Sequence, residues 1–160
     1  MIRFTLPIRP VTKKNSPRII WKRTQKPYQI KIGKFVIATL MYRPLIIPSE
    51  ANEVFEKESL QYFAHVKNQI GTINYPINVK AIFYRDTMRR VDLTNSCEAL
   101  DDAMVHAELL IDDNRDIIAG HDGSRVYHDK VNPRIEIEIT ELKDYAQWKN
   151  TKDVQGRLEI

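Results

Sequence analysis

Apolar and polar residues alternate over residues 2–8, with Ile2, Phe4, Leu6 and Ile8 on one face and Arg3, Thr5 and Pro7 on the other, which predicts a strand. The stretch from Pro10 to Pro27 lacks such a period, is basic and proline-punctuated, and reads as a loop. Pro48-Ser49-Glu50 opens a helix, with Ser49 as N-cap, Asn52 and Glu53 in the first turn, and Gly71 as the stop. Val54, Phe55, Leu60, Phe63 and Val66 make its apolar stripe. Alternation returns over Ile77–Tyr84, with Ile77, Val79, Ala81 and Phe83 facing one way. A second helix is expected from about Thr94 to Leu109, burying Leu93, Leu100, Ala103, Met104 and Ala107. Asp92, Thr94 and Asn95 are its candidate caps, and Asn95 to Glu98 has capping-box spacing. Two short runs, 117–121 and 124–127, flank Asp122-Gly123, which signals a hairpin. Strict alternation over 134–140 predicts a final, half-exposed strand. The sum is an α+β fold: a mixed, largely antiparallel sheet of four to five strands with two helices packed on one face. A remaining apolar face of the sheet is expected to pair with another subunit.

No repeat, Gly/Ser linker or low-complexity tract divides the 160 residues. Residues 1–142 are expected to form one domain, carrying a basic arm over 10–34, and residues 143–160 a tail. The chain is 42% hydrophobic and long enough to bury its own core. Cys97 is the single cysteine, which excludes an internal disulfide and a cysteine-rich zinc module. No apolar run approaches the ~18 residues of a membrane span, and the N-terminal residues lack the apolar core of a signal peptide. A reducing, cytoplasmic setting without membrane partners is therefore expected. The absence of GxxxxGK[ST] and GxGxxG argues against a nucleotide cofactor.

The net charge of +4 conceals a strong polarity. Residues 1–49 hold eleven Lys/Arg and no Asp or Glu, whereas residues 92–122 hold nine acids and one base, Arg115. The basic end suits a polyanion and the acidic window suits a divalent cation, a combination fit for metal-assisted chemistry on nucleic acid. Hard cations such as Mg²⁺ take carboxylate oxygens, water and substrate phosphate. Asp92 precedes the second helix and Asp112-Asp113 follow it. A 16-residue helix is ~24 Å long, so the two groups meet only if the helix is shorter or the chain folds back. Glu98 and Asp102, about 40° apart on the helix, face away from its buried stripe, as does Asn95. Asp101 reads as a surface residue, His106 as structural, His121 as a strand-end residue and Cys97 as a core thiol. Clustered carboxylates repel and titrate high without a cation. In the basic arm, Trp21 and Tyr28 are interleaved with bases, a pattern for phosphate contact and base stacking.

The opening PVTKKNS, the segment Arg89-Arg90-Val91-Asp92-Leu93-Thr94-Asn95, the Ala-Leu-Asp-Asp-Ala helix, Leu-Ile-Asp112-Asp113, and the later HDGSRV and NPRIEIEI together resemble the RusA family of Holliday junction resolvases, particularly its phage and prophage branch. The likeness covers roughly residues 5–140. It implies a homodimeric, Mg²⁺-dependent endonuclease, with Mn²⁺ as a possible substitute, that cuts four-way DNA junctions by paired incisions in recombination and repair. By the same likeness Asp92 and Asp113 correspond to essential carboxylates, Asp112 neighbours the second, and Asn95 and Asp102 are supporting residues. Two positions depart from the family pattern: Thr94 replaces a second Asp, and Glu98 replaces a Lys. The expected compensation is that Glu98 supplies the missing carboxylate while Lys13, Lys14 or Arg90 takes the cationic role. Catalysis and metal binding are thus assigned to Asp92, Asp113 and Glu98, with Asp112 as a further ligand. DNA contact is assigned to Lys13, Lys14, Asn15, Arg18, Lys22, Arg23, Arg89 and Arg90. The alternatives are a branched-DNA binder with little cleavage, a nuclease of wider branched-DNA taste, and an RNA-binding module stacking bases on Trp21 and Tyr28.

Overall fold

The computed structural model describes residues 1–12, 18–24, 28–39, 42–47 and 49–145. Lys13, Lys14, Asn15 and the tail beyond Tyr145 lie outside these described residues. Among the described residues, strands and helices follow in the order β1 (Ile2–Leu6), β2 (Arg18–Arg23), β3 (Tyr28–Ile32), β4 (Phe35–Thr39), β5 (Tyr42–Ile47), α1 (Glu50–Ile70), β6 (Ile77–Arg85), α2 (Leu93–His106), β7 (Ile118–Gly120), β8 (Arg125–His128) and β9 (Arg134–Glu141). The fold is α+β, with one mixed, mostly antiparallel five-stranded sheet. Its order is β1-β9-β6, with β7 and β8 both on the far side of β6. No helix among the described residues is long and apolar enough to cross a membrane.

The core follows from the period-2 patterns. β1 pairs with β9 so that Leu6 opposes Ile135 and Ile2 opposes Ile139, and β6 pairs with β9 so that Val79 opposes Ile139 and Phe83 opposes Ile135. Directly opposed residues share a face, so the three alternating runs pool their apolar sides. Phe55, Phe63 and Val66 of α1 and Cys97, Leu100 and Met104 of α2 cover that side, with Phe4 edge-on to Phe63. Ser49 caps α1 as the spacing predicts, its hydroxyl accepting from the Asn52 amide, and Gly71 ends it in the left-handed region. Val54 and Leu60 correct the predicted α1 stripe: both are about half exposed. The sheet's other face is also corrected, since it carries Arg3 paired with Glu138, Arg134 over the Tyr84 ring, and Lys80, rather than an apolar surface.

The predicted loop over 10–27 is corrected in its second half. Arg18–Arg23 is a strand, paired antiparallel with β5, and β3 and β4 form a further two-stranded ladder. Neither ladder joins the main sheet. The period was hidden because this ribbon has no buried face: β2 is exposed at every position. At its base Arg18 reaches Glu53 of α1 at 2.6 Å.

The Asp122-Gly123 hairpin is overturned. β7 and β8 both run parallel to β6, along its first and second halves, so they are one strand interrupted by residues 121–124. Side chains fill the broken ladder. Asn78 Oδ1 accepts from the Asp122 amide at 2.8 Å, Ser124 Oγ accepts from the Ala81 amide at 3.0 Å, and His121 Nδ1 meets the Val79 carbonyl at 3.0 Å. Gly123 sits at φ +85° in this break. The glycine signal was genuine, but it marks an interruption rather than a reversal.

Candidate functional site

The site begins where β6 stops. Arg85 ends the strand, residues 86–91 cross to α2, and Asp92 becomes the helix N-cap in extended backbone. Asp92 Oδ1 accepts from the Thr94 amide at 3.0 Å, one of the donors a helix start leaves unsatisfied. That bond orients the carboxylate, and Asp92 as a whole is exposed.

Cations gather beside it. Arg85 donates to the Arg89 carbonyl at 3.2 Å, and Arg9 pairs with Asp86 at 3.1 Å. Burial and then the neighbouring Arg9 lower the pKa of Arg85, with Arg89 adding to the effect and Asp86 opposing it. An open hollow of about 240 Å³ lies here, lined by Arg85, Arg89, Arg90, Tyr127 and His128. Crowded guanidiniums favour an anion such as phosphate in this hollow. Arg89 and Arg90 are exposed.

The far end of α2 folds back. The helix stops at His106, three residues earlier than predicted, and the Leu109 and Leu110 amides both turn back onto the Met104 carbonyl. Glu108 takes a positive φ of 55° in this reversal. Leu110 then bridges to Ile73, and Ile118 enters the sheet beside Ile77. The return brings Asp113 near enough to Asp101 to raise the pKa of that residue.

Asp112 is engaged in its own turn. Its Oδ1 accepts from the Asp113 and Asn114 amides at 2.7 and 3.3 Å, and its Oδ2 accepts from Asn114 Nδ2 at 2.8 Å. These bonds, that from the Asn114 side chain foremost, hold its pKa below the ordinary carboxylate value, opposite to the rise expected of clustered acids. Both oxygens build the turn that presents Asp113. Asp113 itself is exposed.

Asp101 and His121 are the residues that sequence reasoning missed. Asp101 is buried, and its Oδ2 meets His121 Nε2 at 2.9 Å. Because the other ring nitrogen faces the Val79 carbonyl, both nitrogens face acceptors and the imidazolium is favoured. The Asp101 bond, reinforced by Cys97, pushes the His121 pKa up to about 10. Burial raises Asp101, and the His121 bond opposes that rise. A ring doubly engaged in donating is no general base; it ties α2 to the interrupted strand. The available signal was phase, because Asp101 lies one turn beyond Cys97 on the flank of the buried stripe. Asp101 Oδ1 and Asn95 Oδ1 are buried without hydrogen-bond partners.

Glu98 and Asp102 are half-buried on the same helix. By helix rise Glu98 stands about 9 Å along the axis from Asp92 and about 6 Å before Asp102. Among the described residues no three His, Cys, Asp or Glu side chains converge as a metal-binding group. The donors near the arginines are nonetheless hard, exposed carboxylate oxygens. They fit a Mg²⁺ shared between one or two carboxylates, water and substrate phosphate, rather than a ready-made cage. His106, expected to be structural, is exposed and reaches Glu56 at 3.1 Å. Cys97 is buried, as expected. No family model and no curated protein matches the chain.

Proposed function

We propose that this chain is a metal-dependent, structure-specific endodeoxyribonuclease that resolves four-way DNA junctions by paired strand incisions in recombination and repair, working as a homodimer. The reading rests on the sequence resemblance to RusA-type resolvases and on one structural observation. Asp92, exposed and held by its capping bond, directly follows in sequence Arg89, Arg90 and Val91, which line the arginine hollow. In this scheme the hollow seats the phosphodiester next to Asp92. Arg89 and Arg90 neutralise the phosphate and charge that develops on its oxygens. The Asp112 turn presents Asp113 as the second carboxylate, and Glu98 is assigned the place between them on α2. Mg²⁺, or Mn²⁺ in its stead, bound by Asp92, Asp113 and Glu98, would supply an activated water and stabilise the transition state. Arg18, Lys22 and Arg23 on the arm, with Lys13, Lys14 and Asn15, extend the contact along the DNA backbone.

The experiment is incubation of a synthetic four-way junction with Mg²⁺, with wild type beside Asp92→Asn and Glu98→Gln. The proposal expects cleavage by wild type and a strong loss in both variants. Cleavage unchanged by Glu98→Gln removes Glu98 from the site.

A second reading is favoured by the lack of a converged three-residue metal group among the described residues. On that reading the protein binds branched DNA and does not cut it. It expects salt-sensitive junction binding with no product at any Mg²⁺ or Mn²⁺ concentration.

A further inference from the structure

The β2–β5 ribbon has two unlike faces, fixed by its register. Ile19 opposes Ile46, Trp21 opposes Pro44 and Arg23 opposes Tyr42, so these six share one side. That side is almost wholly exposed: Ile19 is 63%, Trp21 66%, Tyr42 61% and Ile46 71% accessible. Trp21 and Tyr42 are diagonal neighbours on it, about 7–8 Å apart along the ladder. On the other side Lys22 stands directly opposite Arg43. Like charges directly opposed destabilise a ladder, and neither has an acidic partner among the described residues. An isolated two-stranded ribbon is itself marginal in water.

Something that supplies negative charge to one side and flat apolar surface to the other resolves both deficits. A second copy of the arm does not, because residues 1–49 carry eleven bases and no acid, and a two-fold contact sets like against like. Nucleic acid carries both features: a phosphate between Lys22 and Arg43 satisfies two cations, and an unpaired base offers a π-face to Trp21. A closed duplex offers no such face outside its grooves, whereas a branch point does.

We propose that the β2–β5 ribbon is the element that selects branched over linear DNA, with Lys22 and Arg43 straddling a backbone phosphate and Trp21, flanked by Tyr42, stacking on a base unpaired at the branch. The inference rests on the DNA-directed reading above and adds the source of substrate selection to it.

The test uses the full chain with Trp148→Phe, which leaves Trp21 as the sole tryptophan. Its fluorescence is titrated with a four-way junction, with a linear duplex of the same sequence, with vesicles of phosphatidylglycerol and phosphatidylcholine, and by protein dilution alone. In parallel, Trp21→Ala and Trp21→Phe are compared with wild type for junction and duplex affinity. The expected result is quenching by the junction and not by the duplex. Trp21→Ala is expected to lose about tenfold in junction affinity with under about twofold change on the duplex, and Trp21→Phe to keep most of the preference. Equal losses on both DNAs overturn this inference and leave the nuclease reading standing. A fluorescence change on dilution alone, or on vesicles in place of DNA, gives the face to a second copy or a lipid surface and overturns it too. Binding to neither DNA removes both readings together.

Discussion

Asp92 caps α2 and, on the proposed function, also serves the metal, two tasks that a single substitution separates. Asn caps a helix about as well as Asp, so Asp92→Asn is expected to keep the thermal stability of the protein while lowering junction cleavage by more than about a hundredfold, beyond what outer-shell groups of metal sites contribute. Asp112, by contrast, spends both oxygens on its own turn. Asp112→Ala is expected to lower the melting temperature and to lower cleavage through misplacement of Asp113. The magnesium concentration giving half-maximal cleavage by Asp112→Asn, which keeps part of the turn, is expected to match wild type. The Asp101–His121 pair is a stability device with a calculable pH signature. His121 gains its proton affinity on folding, rising from 6.5 to about 10, so its contribution is complete below about pH 6.5 and is lost as pH climbs through about 10. Melting temperatures across pH 6 to 10.5 are expected to fall more steeply for wild type than for His121→Gln. Removing one partner of a buried pair strands the other, so Asp101→Asn is expected to cost on the order of 3 kcal/mol by denaturant unfolding. The phase of Asp101 was legible but its pairing was not: twenty residues separate the two members, and only the return of the chain after His106 brings them together.

At the scale of elements, legibility tracked burial. β1, β6 and β9 each bury one face, so their alternation was plain in the sequence, and Ser49 and Gly71 marked both ends of α1. The β2–β5 ribbon buries neither face and lost its period, and β7–β8 were misjudged because Asp-Gly signals a left-handed residue without saying whether the chain reverses there. Gly123 has that conformation. Its substitution by Ala is expected to destabilise the protein by on the order of 1–3 kcal/mol, measured by denaturant unfolding, with the Lys80 side chain moving aside. For the ribbon, each phosphate neutralised adds about 0.9 to the salt dependence of duplex-DNA binding. Replacing Lys22 and Arg43 together by Gln is therefore expected to reduce the slope of log affinity against log salt by about 0.9, the share of the one phosphate they hold, read from binding titrations at several salt concentrations. An unchanged slope would take those two residues out of the DNA contact.

Across the whole molecule, the charge polarity read from the sequence acquires a spatial form. Among the described residues Arg18, Lys22, Arg23, Lys31 and Arg43 lie on ribbons outside the main sheet, while the acids of residues 92–122 are spread over α2 and the segments at its two ends. Paired incision of a four-way junction needs two such sites related by symmetry, so the proposal carries a homodimer with it. The most direct measurement follows both strands of a synthetic four-way junction at once, each labelled, in the presence of Mg²⁺, with wild type beside Asp92→Asn. The account predicts paired nicks in opposing strands by wild type and none by the variant. Junction bound but uncut by wild type, or cut equally by Asp92→Asn, would contradict it.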